Sequence, residues 1–166
     1  MSTTDKIKIR NAGEPDIAAM FALLTAFARE LGEPTHFHSS EEAMRKYGFG
    51  ESPLFCAALA ERESSALGLC VYFSEFSTWR GKPGVYIQDI YVHPEQRKDG
   101  LGRRLLEHAL HDANACWGAQ YLRLAVHTHN ESAIRFYQSL GMSLDAENHI
   151  MVLDPETTMS IVAGEK

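Results

Sequence analysis

The stretch YIQDIYVHPEQRKDGLGRRLLEHAL, residues 86–110, contains the features that decide the fold of this chain. It opens with a β-rich run, turns through a charged segment with two glycines spaced G-x-G, and continues in a leucine-rich pattern of helical period. Glycines at the mouth of a helix leave unpaired backbone N–H groups accessible, and the helix dipole favours an anion there. The pattern therefore predicts a strand, an anion-binding loop and a helix, in that order.

Basic side chains surround this loop, at Arg97, Lys98, Arg103 and Arg104. Together with free backbone N–H groups, they suit a phosphate or pyrophosphate better than a lone carboxylate. Gly100 and Gly102 complete neither a P-loop nor a full dinucleotide-binding fingerprint. Taken alone, the fragment is also typical of a glycine turn before an ordinary helix with solvated basic residues.

Composition and charge limit the classes of protein to consider. With 166 residues, 45% of them hydrophobic, the chain is long enough for a sizeable core, and we expect a single domain over residues 1–166. The formal net charge of −6 argues against a nucleic-acid partner, because binding to phosphate backbones depends on clustered Lys and Arg. We expect neither a signal peptide nor a membrane span or membrane partner. The three cysteines lack metal-ligand spacing and are typical of intracellular thiols, which predicts a cytoplasmic protein.

The elements before the loop alternate between strand and helix signals. A short strand at residues 7–10 is followed by an amphipathic helix over residues 14–32. A second helix follows, with Ser39 or Ser40 as its N-cap. Three β-rich runs separated by polar turns then predict an antiparallel meander.

The elements after the long helix complete the order βααβββαβαβ. Residues 121–128 predict a strand, residues 130–141 a short helix, and residues 142–154 a hairpin-like region. The tail over residues 155–166 gives no prediction. The whole pattern predicts an α/β (α+β) fold, with a mixed sheet flanked by helices.

Two motifs in this order closely resemble the GNAT superfamily of acyl-CoA-dependent N-acyltransferases. Arg97-x-x-Gly100-x-Gly102 matches the family's R/Q-x-x-G-x-G/A pyrophosphate loop, and NESAIRFYQSLG at residues 130–141 matches its closing motif. The resemblance implies a mostly antiparallel, splayed GNAT sheet, with acetyl-CoA as co-substrate. It implies cofactor contacts at Ile90, Tyr91, Val92, Arg97, Lys98, Asp99, Gly100, Leu101, Gly102, Arg103, Asn130, Ser132 and Tyr137.

A narrower resemblance extends over almost the whole chain. The segments YGFGESPLFCAALAE, EFSTWRGKPGVYIQDIYV and AIRFYQSLG are similar to the diamine acetyltransferases, the spermidine/spermine and thialysine branch of the superfamily. This implies a homodimer that acetylates a primary amine of a small cation, such as a di- or polyamine or a lysine-like molecule. The chain departs from the branch in having Arg97-Lys98 for Arg-Gly, Gln88-Asp89 for Glu-Asp, and Thr128-His129-Asn130 for an acidic residue followed by Trp-Asn.

The departure at Gln88 bears on proton removal. An alkylammonium with a pKa of about 10.4 must lose a proton before its nitrogen attacks a thioester, which costs about 4.6 kcal/mol at pH 7. An amide orients a water molecule but does not accept the proton as a carboxylate does. Three candidates remain for this work: water held between Gln88 and the backbone, Asp89 if a β-bulge re-aims it, or a histidine, His127 or His129.

The resemblance also implies roles at the leaving group and the acceptor. Tyr137 is the candidate acid for the departing CoA thiolate, although a tyrosine packed in the core would fit the same pattern. Asp89 and Gln88 are candidates for acceptor binding, and Trp79 could add a cation-π face. Further acidic candidates are Glu30, Glu33, Glu75 and Glu147. The histidine pairs His36/His38, His108/His111 and His127/His129 lack a convincing third ligand, so we expect no metal.

Two other functions fit the same sequence features. One is a noncatalytic acyl-CoA-binding or sensing module that kept the loop and lost its base at Gln88. The other is an acetyltransferase whose acceptor is a protein amine or an antibiotic amine. The leading hypothesis is an acetyl-CoA-dependent N-acetyltransferase of a small cationic amine.

Overall fold

Five strands form one sheet in the computed structural model, which describes residues 6–97 and 99–164. The strands are β1 (Lys8–Asn11), β2 (Cys56–Arg62), β3 (Ser65–Ser77), β4 (Lys82–Val92) and β5 (Leu122–Leu124). They lie in sequence order, with β1 to β4 antiparallel and β5 parallel to β4. The predicted antiparallel meander and the mixed sheet are confirmed.

Two helices cover one face of the sheet. The helix α1 (Ile17–Glu30) follows a short 3-10 turn at Glu14–Asp16 and buries an apolar stripe of Ile17, Met20, Leu23 and Leu24. This stripe packs in one cluster with Leu69 and Val71 of β3 and Tyr91 of β4. The helix α2 (Glu41–Phe49) begins where Ser40 Oγ accepts a hydrogen bond from the Ala43 N–H at 3.0 Å, as its N-cap signal predicts.

A third helix covers the opposite face. The helix α3 (Leu101–Trp117) begins and ends at glycines in the left-handed conformation, Gly100 and Gly118. Its buried residues are Leu101, Leu105, Leu106, Ala109 and Ala113. The sheet is therefore enclosed between α1 and α3, and side chains of β4 face one helix or the other. No helix within the described residues combines the length and apolar character needed to cross a membrane.

The chain divides into two compact units between His127 and Thr128. The first contains the sheet with α1, α2 and α3, and the second contains α4 (Glu131–Ser139) and α5 (Pro155–Ala163). The expectation of a single domain over residues 1–166 stays a prediction.

Two expectations for the later part of the chain are wrong. The strand predicted over residues 121–128 is limited to Leu122–Leu124. The hairpin-like region predicted over residues 142–154 contains no strand in the described structure; Asp145 instead accepts local hydrogen bonds from Glu147 and Asn148. Such local bonding favours a turn, and an isolated hairpin is marginally stable. The tail forms α5, because Asp154 caps the Thr157 N–H and proline follows at the first helical position.

Candidate functional site

A β-bulge in β4 sets the direction of two adjacent polar side chains. Ile87 lies opposite Tyr72 of β3, and Asp89 lies opposite Val71, so Gln88 is the extra residue with no partner in the pairing with β3. An extra residue breaks the alternation of side chains between the two faces of a sheet. The bulge that we considered from the sequence is therefore present, and it falls at Gln88.

The bulge turns Asp89 towards α1. Tyr72, opposite Ile87, packs against Trp117 and donates its hydroxyl to Asp112 Oδ2 of α3 at 2.7 Å. Val71, opposite Asp89, belongs instead to the cluster with α1. Residues directly opposite each other share a face, so Ile87 and Asp89 point to different helices although they are two apart in sequence.

Gln88 and Asp89 line one cavity of about 260 Å³ in the first unit. Its other lining residues are Leu24, Phe27, Ala28, Leu31, Glu33, His36 and Phe37. One wall is therefore the apolar face of α1, and polar groups lie on β4 and on the segment that follows α1. This size and this combination suit a small ligand with an apolar stem and a polar end.

The Asp89 carboxylate lacks a compensating group. Burial raises its pKa above the ordinary range of an aspartate. Throughout residues 6–97 and 99–164, no hydrogen bond or ion pair to this side chain is formed. An unpaired, partly buried carboxylate is costly, and a cation in the cavity would remove the cost. The electrostatics of the cavity therefore favour an ammonium group.

The main-chain edge of β4 is open beside this cavity. The Val85 N–H donates to Tyr121 O at 2.9 Å, but β5 pairs with β4 only at residues 85–87. The His93 N–H donates to Leu67 O, at the start of β3. Main-chain N–H and C=O groups of successive residues point to alternate edges of a strand. Since His93 bonds to β3, the main-chain groups of Ile90 and Val92 point to the other edge of β4, beyond the end of β5. This is the splay that the sequence resemblance implied.

The loop before α3 presents free N–H groups. Gly100 has φ +69°, and a Cβ there would meet no atom of the described residues within 4 Å. Its carbonyl accepts the Arg104 N–H, but no side chain caps the helix. Among the described residues the N–H groups of Leu101, Gly102 and Arg103 make no backbone hydrogen bond. They form an anion-binding end of the kind expected from the glycines.

The described arginines near the loop are engaged with protein groups, and Arg104 donates from Nη2 to Ile7 O at 2.9 Å. Arg97 donates from Nε to Val92 O at 2.9 Å and from Nη2 to Glu30 Oε2 at 2.7 Å. Arg103 pairs with Glu107 one turn along α3. Arg97 therefore braces β4 against α1. Lys98, predicted to contact the cofactor, lies outside the described residues, and Asp99 is exposed in the loop.

The second unit contains the remaining candidates for cofactor contact. Asn130 Oδ1 accepts the Ala133 N–H at 3.1 Å and so caps α4. Ser132 is exposed in the first turn of α4. Tyr137 is half-buried beside Phe136, with ring centroids 5.2 Å apart. The cap explains Asn130 as a structural residue, and the cofactor and catalytic roles of these three residues stay predictions.

Several acceptor candidates lie elsewhere in the first unit. Trp79 is 99% exposed in the turn between β3 and β4 and does not line the cavity. Glu30 and Glu75 are paired with arginines, whereas Glu33 lines the cavity. His127 is exposed and outside the cavity lining.

Two further candidates lie in the second unit, His129 and Glu147. In the described part of the chain no three His, Cys, Asp or Glu side chains form a metal-binding cluster.

Neither His36 nor the apolar lining of the cavity was predicted from the sequence. Leu24, Phe27 and Leu31 follow the helical period, but that period predicts packing against the sheet and does not separate core from cavity. His36 was considered only within a histidine pair for metal binding. Nothing in the sequence around Pro34 predicts that the segment after α1 lies against β4.

Comparisons with known proteins place this geometry in a family. The model of the Acetyltransferase (GNAT) family matches residues 18–142. A thialysine N-epsilon-acetyltransferase from Bos taurus is 34% identical over 143 residues, which cover 81% of this chain and 83% of that protein. The chain belongs to the GNAT acetyltransferase family. Membership in the family confirms the predicted fold class and enzyme class. It favours the hypothesis of an active acetyltransferase over that of a noncatalytic sensor.

Solved structures share the GNAT fold with this acetyltransferase. An integron cassette protein from the mobile metagenome of V. cholerae gives a TM-score of 0.75 at 20% identity, covering 94% of this chain and 97% of that one. An aminoglycoside N-acetyltransferase in complex with CoA gives 0.73 at 15% identity, covering 93% and 99%. At these identities the likeness concerns the fold alone.

The unpaired Asp89 carboxylate makes stability depend on pH. Since its folded pKa is raised, its contribution to stability is full below the unfolded pKa, about 3.9, and is lost as pH rises through the folded pKa. We expect Asp89→Asn to raise the free energy of unfolding on the order of 1 kcal/mol at pH 7. Denaturant unfolding at pH 7 and pH 4 measures this, and the gain should vanish at pH 4.

Glu51→Gln is the matched control, because Glu51 is an exposed carboxylate. It should change the free energy of unfolding by less than about 0.5 kcal/mol at either pH. A loss of stability in Asp89→Asn at pH 7 would show that the carboxylate has a stabilising partner.

Proposed function

We propose that this chain transfers the acetyl group of acetyl-CoA to a primary amine of a small cationic molecule, such as a di- or polyamine or a lysine-like molecule. The observation that carries the proposal is the unpaired Asp89 carboxylate in a small cavity whose lining combines apolar residues of α1 with polar groups. The relative named for thialysine supports an acceptor of lysine-like shape. Enzymes of the GNAT family use acetyl-CoA, which supports the donor.

The donor fits the open side of β4 and the loop before α3. The main-chain groups of Ile90 and the N–H of Val92 offer hydrogen bonds to an amide-containing chain such as pantetheine, whereas the Val92 carbonyl already accepts from Arg97 Nε. The free N–H groups at the start of α3 suit the pyrophosphate, and the open space in front of Gly100 leaves room for it. Both features belong to the first unit and lie at the same end of β4.

The acceptor fits the cavity through charge and apolar contact. Asp89 would hold an ammonium group by a charge-assisted hydrogen bond, which is about twice as strong as a neutral one. Leu24, Phe27 and Leu31 would contact the methylene stem. Glu33 adds a second carboxylate to the lining, so a second cationic group on the acceptor is also favoured.

The reaction needs a proton removed from the ammonium and a proton delivered to the leaving sulfur. Gln88 lines the cavity and can hold a water molecule, but its amide does not accept a proton at neutral pH. For the departing thiolate, Tyr137 remains our candidate acid. The ammonium proton therefore needs an acceptor other than the Gln88 amide.

We also propose a homodimer in which both subunits contribute to the acceptor site. The near full-length similarity to the diamine acetyltransferase branch supports it, as do the exposed aromatic side chains of Phe76 and Trp79 near the turn between β3 and β4. A monomeric mass at micromolar concentration, with activity retained, would contradict it.

For location, we infer the cytoplasm. The free thiols of Cys56, Cys70 and Cys116 support this inference. Reaction with a thiol reagent on the protein freshly isolated under oxidant-free conditions would count these thiols, and a native disulfide would contradict it.

Replacing Gly100 should weaken donor binding. Any side chain there is strained in the left-handed conformation and also occupies the open space before the free N–H groups. We expect Gly100→Ala to raise the Kd for acetyl-CoA by about tenfold or more, measured by calorimetry. Gly81→Ala is the matched control, since Gly81 has φ +60° and equally open surroundings in a distant turn. Equal affinity in both variants would place the donor elsewhere.

Removing the Asp89 charge should weaken acceptor binding selectively. In thiol-release assays with a panel of amines, we expect turnover with diamines and lysine-like amines. Asp89→Asn should raise the KM for these amines by about tenfold or more, corresponding to about 1.4 kcal/mol, with the KM for acetyl-CoA within twofold. Glu75→Gln serves as control, because Glu75 is occupied by Arg123. An unchanged amine KM in Asp89→Asn would refute the role of the carboxylate.

A further inference from the structure

We propose that His36 is the base that takes the proton from the acceptor ammonium, in place of a carboxylate at position 88. The inference rests on the proposed function and concerns the same cavity. It starts from the fact that His36 lines this cavity together with Gln88 and Asp89, although more than fifty positions separate it from them in the sequence.

The local structure holds His36 at the cavity. The residue ends the 3-10 helix Pro34–His36, where its backbone N–H donates to Glu33 O at 3.0 Å. The next residue, Phe37, packs its ring against Phe21 of α1 with centroids 5.6 Å apart. The backbone is therefore tied on both sides of His36, while the imidazole itself remains exposed to solvent.

The other groups that face the cavity are unsuited to removing this proton. From α1 the lining is apolar, and from β4 it consists of Gln88 and Asp89. Gln88 has no basic atom at neutral pH. Under the proposed function Asp89 is the counterion of the ammonium, and its negative charge would stabilise the protonated amine, which opposes deprotonation.

The segment after α1 contributes the two remaining titratable groups, Glu33 and His36. Both carboxylates of the cavity attract the ammonium, whereas a neutral imidazole accepts a proton without first stabilising the charged amine. Imidazole groups also change charge between pH 5 and 8, the range in which general bases are most effective at neutral pH. His36 is therefore the lining group whose chemistry matches the task.

The proposed step balances in protons and electrons. A neutral ring nitrogen of His36 takes one proton from R–NH3+, which leaves R–NH2 and an imidazolium. The amine lone pair forms the C–N bond to the thioester carbonyl carbon, and the C–S bond breaks with its electron pair on sulfur. The new amide nitrogen loses its second proton, the thiolate gains one, and the exposed imidazolium returns its proton to solvent.

The experiment compares pH profiles of full-length variants. His36→Gln, Glu33→Gln and His38→Gln are assayed by thiol release with acetyl-CoA and the best amine of the panel, from pH 5 to pH 10. His38 is the matched control, because it is an exposed histidine two residues away that does not line the cavity. Thermal melts establish that each variant is folded.

We expect His36→Gln to lower kcat/KM by about 10²-fold at pH 7.5, with the KM for acetyl-CoA unchanged. The rise of activity between pH 5 and 8 should be lost, and the deficit should shrink towards pH 10, where the free amine needs no base. His38→Gln and Glu33→Gln should keep the wild-type rise of kcat/KM between pH 5 and 8.

Three results would overturn the inference while leaving the proposed function intact. The first is a pH profile of His36→Gln equal to that of His38→Gln. The second is a loss of kcat/KM in His36→Gln that has the same size at every pH, including pH 10. The third is that Glu33→Gln, and not His36→Gln, loses the rise of activity between pH 5 and 8. A wild type without turnover on any amine would overturn the proposed function and this inference with it.

Discussion

One extra residue in β4, Gln88, separates the strand into two halves whose side chains and main-chain groups point in opposite directions. Before it, Val85 hydrogen-bonds towards β5 and Ile87 shares a face with Tyr72 and α3. After it, Asp89 faces α1, and the main-chain groups of Ile90 and Val92 point into the space beyond the end of β5. The same bulge thus supplies a carboxylate to the cavity and a free edge next to it.

The arrangement has an energetic cost that function explains. Asp89 is partly buried without a partner in the described residues, and a strand edge without a neighbour leaves polar main-chain groups unpaired. Arg97, by contrast, is satisfied between Val92 and Glu30. Arg62 Nε and Glu75 Oε1 are also buried without a partner, but unsatisfied groups gathered at one cavity and one edge are the mark of surfaces shaped for ligands.

The sequence predicts those parts of the site that depend on local chemistry. The left-handed Gly100, the start of α3 and the Ser40 cap follow from residues adjacent in the chain, because backbone freedom and capping are local properties. The strand β4 and its polar pair were also predicted. The bulge was considered only as an alternative, since its position is fixed by the pairing of β4 with β3.

The remaining parts depend on contacts between distant segments. His36 reaches the cavity because the chain turns back after α1, and Arg97 meets Glu30 from 67 positions away. No periodicity or motif encodes such pairs. The hairpin expected at residues 142–154 failed for a related reason: alternation predicts a strand only where a neighbouring strand pairs with it, and the exposed side chains of Ile150, Met151 and Val152 show that the segment is not packed as one.

The central claim is that the edge of β4 opened by the bulge receives acetyl-CoA. Amide hydrogen exchange measured by NMR at Ile90 and Val92 tests it most directly, with Val85 as reference because its N–H bonds Tyr121 O. We expect the Ile90 and Val92 amides to exchange rapidly in the free protein and at least about tenfold more slowly with acetyl-CoA, while any slowing at Val85 reports global stabilisation alone. Amides at Ile90 and Val92 that are already protected, or that acetyl-CoA leaves unchanged, would contradict the account.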